Sequence, residues 1–192
     1  MRDMVKPAVK LFVICFVVAL CLALVNSATK EVIAERTKAA GEEQRRQVIK
    51  EAESFEELEG WKENGYEDMI GDVYAAYKGD ELLGYVFTAA PKGYGGEMKV
   101  IVGISKHKEV LGVAIGDNSE TPGLGSKVAE DKFKGQYEGK SIEKPFEVVK
   151  GKASGENEIE AVSGATITSK AVTDAVRSSA ELAEGLLKDG GE

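Results

Sequence analysis

Three hydroxyl residues, Ser163, Thr166 and Thr168, fall within the run Ser163-Gly164-Ala165-Thr166-Ile167-Thr168. After it, Ala171, Val172, Ala175, Val176, Leu182, Leu186 and Leu187 recur mostly at helical spacing, with Lys170, Asp174, Arg177 and Glu181 between them. The spacing predicts one helix with one buried face, beginning near Thr166. A helix start presents unpaired backbone N–H groups and the positive end of the helix dipole, so it favours an anion such as a phosphate. Gly164 and Ala165 let that backbone approach closely. The alternative reading is a helix cap supplied by Ser163, Thr166 or Thr168.

A second run, Glu120-Thr121-Pro122-Gly123-Leu124-Gly125, precedes the first. Pro122 fixes φ, while Gly123 and Gly125 permit positive φ and close backbone approach, a combination suited to a tight loop around a flat ring or to an ordinary surface turn. Nucleotide motifs are absent from this region. Gly123-Leu124-Gly125-Ser126-Lys127-Val128 lacks the third glycine of a dinucleotide fingerprint, and Gly125-Ser126-Lys127 is not the ending of a P-loop.

Taken together and in this order, the two runs resemble the signatures of the covalent FMN-binding domain family. The resemblance implies that Thr166 carries FMN through a phosphoester bond made by a separate flavin transferase, and takes no part in the redox step. It implies that Ser163, Gly164, Ala165, Ile167 and Thr168 hold the phosphate and the base of the ring. Glu120, Thr121, Gly123, Leu124 and Gly125 would border the isoalloxazine, with the Glu120 charge adjusting its potential. The family has an aspartate three residues before the serine; here Glu160 keeps the charge with a longer reach. Gly93-Tyr94-Gly95 is similar to a further family segment, and Tyr94 reads either as an exposed loop residue or as a wall of the flavin pocket. Lys127 reads as a solvated lysine, with a reach to the phosphate as the alternative.

Within that family, overall size and a single short anchor are most similar to the G subunit of the Rnf complex, a membrane-bound ferredoxin:NAD oxidoreductase that moves sodium ions or protons. This implies electron relay among other membrane subunits of a redox complex. The C subunit of a sodium-translocating NADH:quinone reductase is the alternative. From other classes come an exported binding module without flavin and a purely structural subunit.

The amino end places this chemistry at a membrane. Leu11 to Val25 runs without a polar side chain, and its flanks extend it to about the ~20 residues a spanning helix needs. Arg2, Lys6 and Lys10 outnumber Asp3 before the span, which predicts a cytoplasmic amino terminus and an extracytoplasmic domain, anchored in the cell's inner membrane. A cleaved signal peptide competes with this reading, but Val25-Asn26-Ser27 makes a mediocre cleavage site.

Both cysteines, Cys15 and Cys21, lie inside the apolar span, and His107 is the single histidine. The exported part therefore lacks the residues for a disulfide, a thiolate-bound iron centre or a zinc site, and its redox chemistry falls to an organic cofactor. Beyond residue 30 the chain keeps 21 basic and 32 acidic residues, a charge of −11 that disfavours nucleic acid.

The elements that must position the two motifs predict an α+β fold: a transmembrane helix, then one FMN-binding domain with an antiparallel sheet and flanking helices. Residues 1–28 read as cytoplasmic terminus and anchor, 29–60 as a helical stalk plus first domain helix, and 61–192 as the domain. Val32, Ile33, Val48 and Ile49 are the scattered apolar positions of the stalk. Val73–Lys78 with Leu82–Thr88, and Val100–Ile104 with Val110–Ile115, read as hairpins. Lys127–Phe133 reads as a short helix, Phe146–Val149 as a strand, and Gly151–Asn157 as a flexible link.

Overall fold

The computed structural model describes residues 2–189, with side chains at all of these except 2–9, 28, 31–40, 63, 64 and 189. The chain divides into two compact units, Met1–Gly41 and Glu42–Glu192. Helix α1 spans Arg2–Val48. Its stretch Lys10–Ser27 is long and apolar enough to cross a membrane. The side chains of Arg2, Asp3, Lys6, Val32 and Ile33, named above, lie outside the described residues.

The second unit is built on a five-stranded sheet in the order β1-β2-β3-β4-β5, each strand antiparallel to the next. The strands are β1 Ser54–Glu57, β2 Ile70–Lys78, β3 Glu81–Ala89, β4 Val100–Ser105 and β5 Val110–Ile115. Both expected hairpins are present. The first turns at Gly79, whose φ of 58° suits glycine. In the second, Ser105 Oγ accepts hydrogen bonds from the N–H groups of His107 and Glu109, each at 3.2 Å, and leaves His107 exposed.

Alternation along the strands divides the core between two faces. Val73, Ala75, Phe87, Val100, Val102 and Val113 point to one face, where helix α3, Thr166–Asp189, packs with Val172, Ala175, Val176 and Ala183. Ala76, Val86, Ile101 and Ala114 point to the other, against Val48, Ile49 and Ala52 at the end of α1. Covered on both sides, β4 is buried throughout. Two glycines paired across β4 and β5, Gly103 and Gly112, admit α1 to the sheet. A Cβ at Gly103 would lie 2.9 Å from Ile49 Cγ1, and one at Gly112 would lie 3.1 Å from Val48 Cα.

Three local expectations change. The helix expected up to about residue 59 ends at Val48, and Ser54–Glu57 instead pairs with Tyr77–Tyr74 of β2. Phe55 is drawn in beside Arg45, whose guanidinium stacks on Tyr74 at 4.0 Å, and the exposed Glu56 and Glu57 charge this edge strand. The helix expected at Lys127–Phe133 is a 3-10 turn, Gly125–Ala129, followed by the short helix α2, Asp131–Lys134; extended backbone at Glu130 separates them. Finally, β6 Glu147–Val149 pairs in parallel with β7 Glu158–Glu160, and Asn157 at the end of the supposed flexible link is buried.

Candidate functional site

The hydroxyl-rich run lies at the head of α3. The helix begins at Thr166, so Ala165 precedes its first turn, and Thr166 and Thr168 stand inside it. Ser169 organises the entry: its Oγ accepts from the Val162 N–H at 3.0 Å and donates to the Ala165 carbonyl at 3.0 Å. Gly164, at φ 79°, makes the left-handed turn that brings the chain into the helix. Deeper in, Thr173 donates to the Ser169 carbonyl at 2.9 Å, so the buried Tyr137 hydroxyl is the donor in its 2.7 Å bond with Thr173 Oγ1. Burial pushes the Tyr137 phenol far up, which keeps that donor protonated.

A cleft of about 470 Å³ opens at this helix start, lined by Tyr94, Glu120, Thr121, Leu124, Gly125, Gly164, Ala165, Thr166, Ile167 and Thr168. The fold thus gathers nine of the eleven residues singled out in the two motifs, and adds Tyr94. Ser163 and Gly123 are not among the lining. Ser163 faces a neighbouring cleft of about 380 Å³ together with Lys127, Lys132, Phe133 and Glu160. Lys127 is exposed there. The backbone of Glu160 is gripped by Gln136, which accepts from its N–H at 2.7 Å and donates to its carbonyl at 3.2 Å.

Within the cleft the polar and apolar groups are segregated. Glu120 is only 7% exposed; its Oε1 accepts from the Gly95 N–H at 3.1 Å and its Oε2 from the Thr168 hydroxyl at 3.0 Å. Thr168 is itself buried, whereas Thr166 is half-buried. The exposed part of the lining is mostly apolar: Tyr94 is 74% exposed, Leu124 47% and Ile167 57%, with Thr121 as its exposed polar side chain. Among the described residues beyond α1, the only other exposed large apolar side chain is Leu111. A flat, partly apolar group with a phosphate tail fits this arrangement, with apolar walls for the ring and the unpaired first-turn N–H groups of α3 for the phosphate.

Neither Ser169 nor the convergence on Glu120 is legible in the motifs. The only sequence signal for Ser169 is a polar residue on the buried stripe of an amphipathic helix.

Comparison with known proteins agrees with this geometry. Residues 93–181 match the FMN-binding domain family. The chain is 35% identical to the G subunit of the proton-translocating ferredoxin:NAD(+) oxidoreductase complex of Clostridium ljungdahlii, over 89% of this chain and 86% of that one. It is 37% identical to the G subunit of the Na(+)-translocating ferredoxin:NAD(+) oxidoreductase complex of Acetobacterium woodii, over 95% and 93% of the two chains. The crystal structure of Shewanella oneidensis NqrC shares the fold, with a TM-score of 0.55 over 62% of this chain and 61% of that one at 23% identity. The resemblance carried by the two motifs is therefore borne out: the protein belongs to the family of ferredoxin:NAD(+) oxidoreductase complex G subunits and carries an FMN-binding domain.

Proposed function

We propose that this chain is a membrane-anchored electron-transfer subunit that carries FMN esterified to Thr166 and relays electrons within an ion-translocating ferredoxin:NAD(+) oxidoreductase complex. One observation carries the reading. Thr166 lines the cleft at the head of α3 beneath the apolar rim of Tyr94, Leu124 and Ile167, while the nearby Thr168 hydroxyl is buried and committed to Glu120.

Bound flavin exchanges electrons singly or in pairs, which suits a relay between other centres. The chain's own residues hold and shield it. The first-turn N–H groups of α3 would hold the phosphate, Gly164 and Ala165 would give it room, and Tyr94, Leu124 and Ile167 would supply apolar contacts to the ring. The ester is installed by a flavin transferase. It would keep the cofactor from diffusing away on the extracytoplasmic face, the side that the excess of Arg2, Lys6 and Lys10 over Asp3 favours for the domain. The partners are the other subunits of the complex in the inner (cytoplasmic) membrane. The likeness to NqrC supports the fold alone; identity to G subunits along nearly the whole chain favours the ferredoxin:NAD(+) complex over the NADH:quinone reductase.

The test is co-expression of the full chain with a flavin transferase. The expected product is yellow, fluoresces after denaturing electrophoresis, and is heavier by FMN less water. Thr166→Ala abolishes all three. Loss in Thr168→Ala but not in Thr166→Ala would overturn the assignment.

A further inference from the structure

Three motifs meet at one buried carboxylate. Besides accepting from Gly95 and Thr168, Glu120 fills the space where side chains at two glycines would stand. A Cβ on Gly93 would lie 2.2 Å from Glu120 Oε1, and one on Gly125 would lie 2.0 Å from Oε2. A Cβ on Gly95 would lie 2.2 Å from the carbonyl oxygen of Ser119, next in the chain. The Glu120 N–H is fixed in turn by Asn118 Oδ1 at 3.2 Å. One side chain thus ties the glycine loop before β4, the proline-glycine loop and the first turn of α3.

The family resemblance implies a place for Glu120 along the ring, tuning its potential. In the structure both carboxylate oxygens are occupied by protein donors, and the residue is almost wholly covered. Charge-assisted bonds to a buried carboxylate are stronger than neutral ones, and losing one donor leaves a costly unpaired acceptor. The carboxylate is therefore built to fix geometry. Its two anchors are the loop that carries Tyr94 and the turn that carries Thr166, both of which line the cleft.

We infer that Glu120 is the positioning residue for flavin attachment: through Thr168 and Gly95 it sets the Thr166 turn against the Tyr94 loop, so that the acceptor oxygen meets the flavin-bearing phosphorus of a phosphoanhydride donor held by the transferase; the new O–P bond replaces the donor's P–O bond to its second phosphate, which leaves with the hydroxyl proton. This rests on the assignment of Thr166 as acceptor. The role needs the length and the bonding capacity of the side chain more than its charge. Glutamine meets both needs, since its carbonyl accepts from Gly95 while its amide donates to the Thr168 oxygen. Aspartate keeps the charge but is one methylene too short to reach both partners.

The experiment measures covalent flavin per chain, by mass and in-gel fluorescence, in the full-length protein co-expressed with a flavin transferase; thermal unfolding of the flavin-free chain is followed in parallel. Glu120→Ala is expected to slow loading by up to about a hundredfold, the scale of an ångström-level misplacement. Glu120→Gln is expected to restore most of it, and Glu120→Asp to stay near alanine. If Glu120→Ala fails to fold, the pair at the partner residue decides: Thr168→Val reproduces the loss and Thr168→Ser relieves it. Gln loading as poorly as Ala at matched unfolding temperature overturns the inference, as does Thr168→Val loading like wild type. With wild type loaded, these outcomes bear on positioning alone, whereas flavin retained by Thr166→Ala overturns the attachment reading and this one with it.

Discussion

Thr166 and Thr168 share the first turn of α3 yet stand in different surroundings: the Thr168 hydroxyl donates to Glu120 at 3.0 Å in the interior, while Thr166 is half-buried on the wall of the cleft. Two threonines of one motif thus divide the work, one holding the turn and the other facing solvent.

Their contributions to stability differ accordingly. Thr168→Val strands a buried carboxylate oxygen and is expected to cost about 1–3 kcal/mol. Thr166→Val removes no side-chain hydrogen bond to the described residues and is expected to stay within about 0.5 kcal/mol. Chemical unfolding of the detergent-solubilised chain measures both; equal losses would contradict the division.

Gly125→Ala puts a methyl group into the Glu120 carboxylate. Displacing it costs about 1–3 kcal/mol, the usual scale of overpacking, and lowers covalent flavin in the same variant. A lowered melting temperature with normal flavin content would separate the two effects and refute the coupling.

Acid sensitivity has a distinct source near β7. The carboxylate of Glu158 accepts from the N–H groups of Ser154 at 2.8 Å and Gly155 at 2.9 Å, and these bonds hold its pKa below the ordinary glutamate range. A depressed folded-state pKa means the stabilisation is complete above the unfolded value, about pH 4, and is lost as pH falls through the folded one. Glu158→Gln is therefore less stable than wild type at neutral pH, with a difference that shrinks on acidification. Melting temperatures across pH 3–7 display this as converging curves; parallel curves would exclude it.

Topology is checked with fusions. Alkaline phosphatase joined after residue 192 is active only outside the cytoplasm, and activity is expected for the native amino terminus. Replacing Arg2 and Lys6 with glutamate reduces it by reversing the charge bias before the span. Strong activity in both would point to an orientation set by something other than these residues.

Much of the fold was legible because it is locally encoded. The hairpins around Gly79-Asp80 and His107 follow from alternation and turn residues, and α3 from helical spacing. β1 was not, since Ser-Phe-Glu-Glu after an alanine- and glutamate-rich stretch has weak strand preference; its pairing with β2 overrides propensity. β7, at three residues, is too short for periodicity to register. At the site, the motifs located the cleft but not its organisation. The bonds that Glu120 makes to Gly95 and Thr168 join positions 25 and 48 residues away, which no local pattern records.

The glycine pair Gly103 and Gly112 also bears on assembly. Val48 and Ile49 are synthesised before β4 and β5, and the part of their seat that those strands supply is missing until the hairpin forms, leaving Ala76 and Val86 as their partners on the earlier strands. Tight docking of the helix end is therefore expected to follow sheet completion, with its non-local contacts. A substitution that widens either glycine should show itself as a slow or stalled step in biogenesis as well as a weaker final structure.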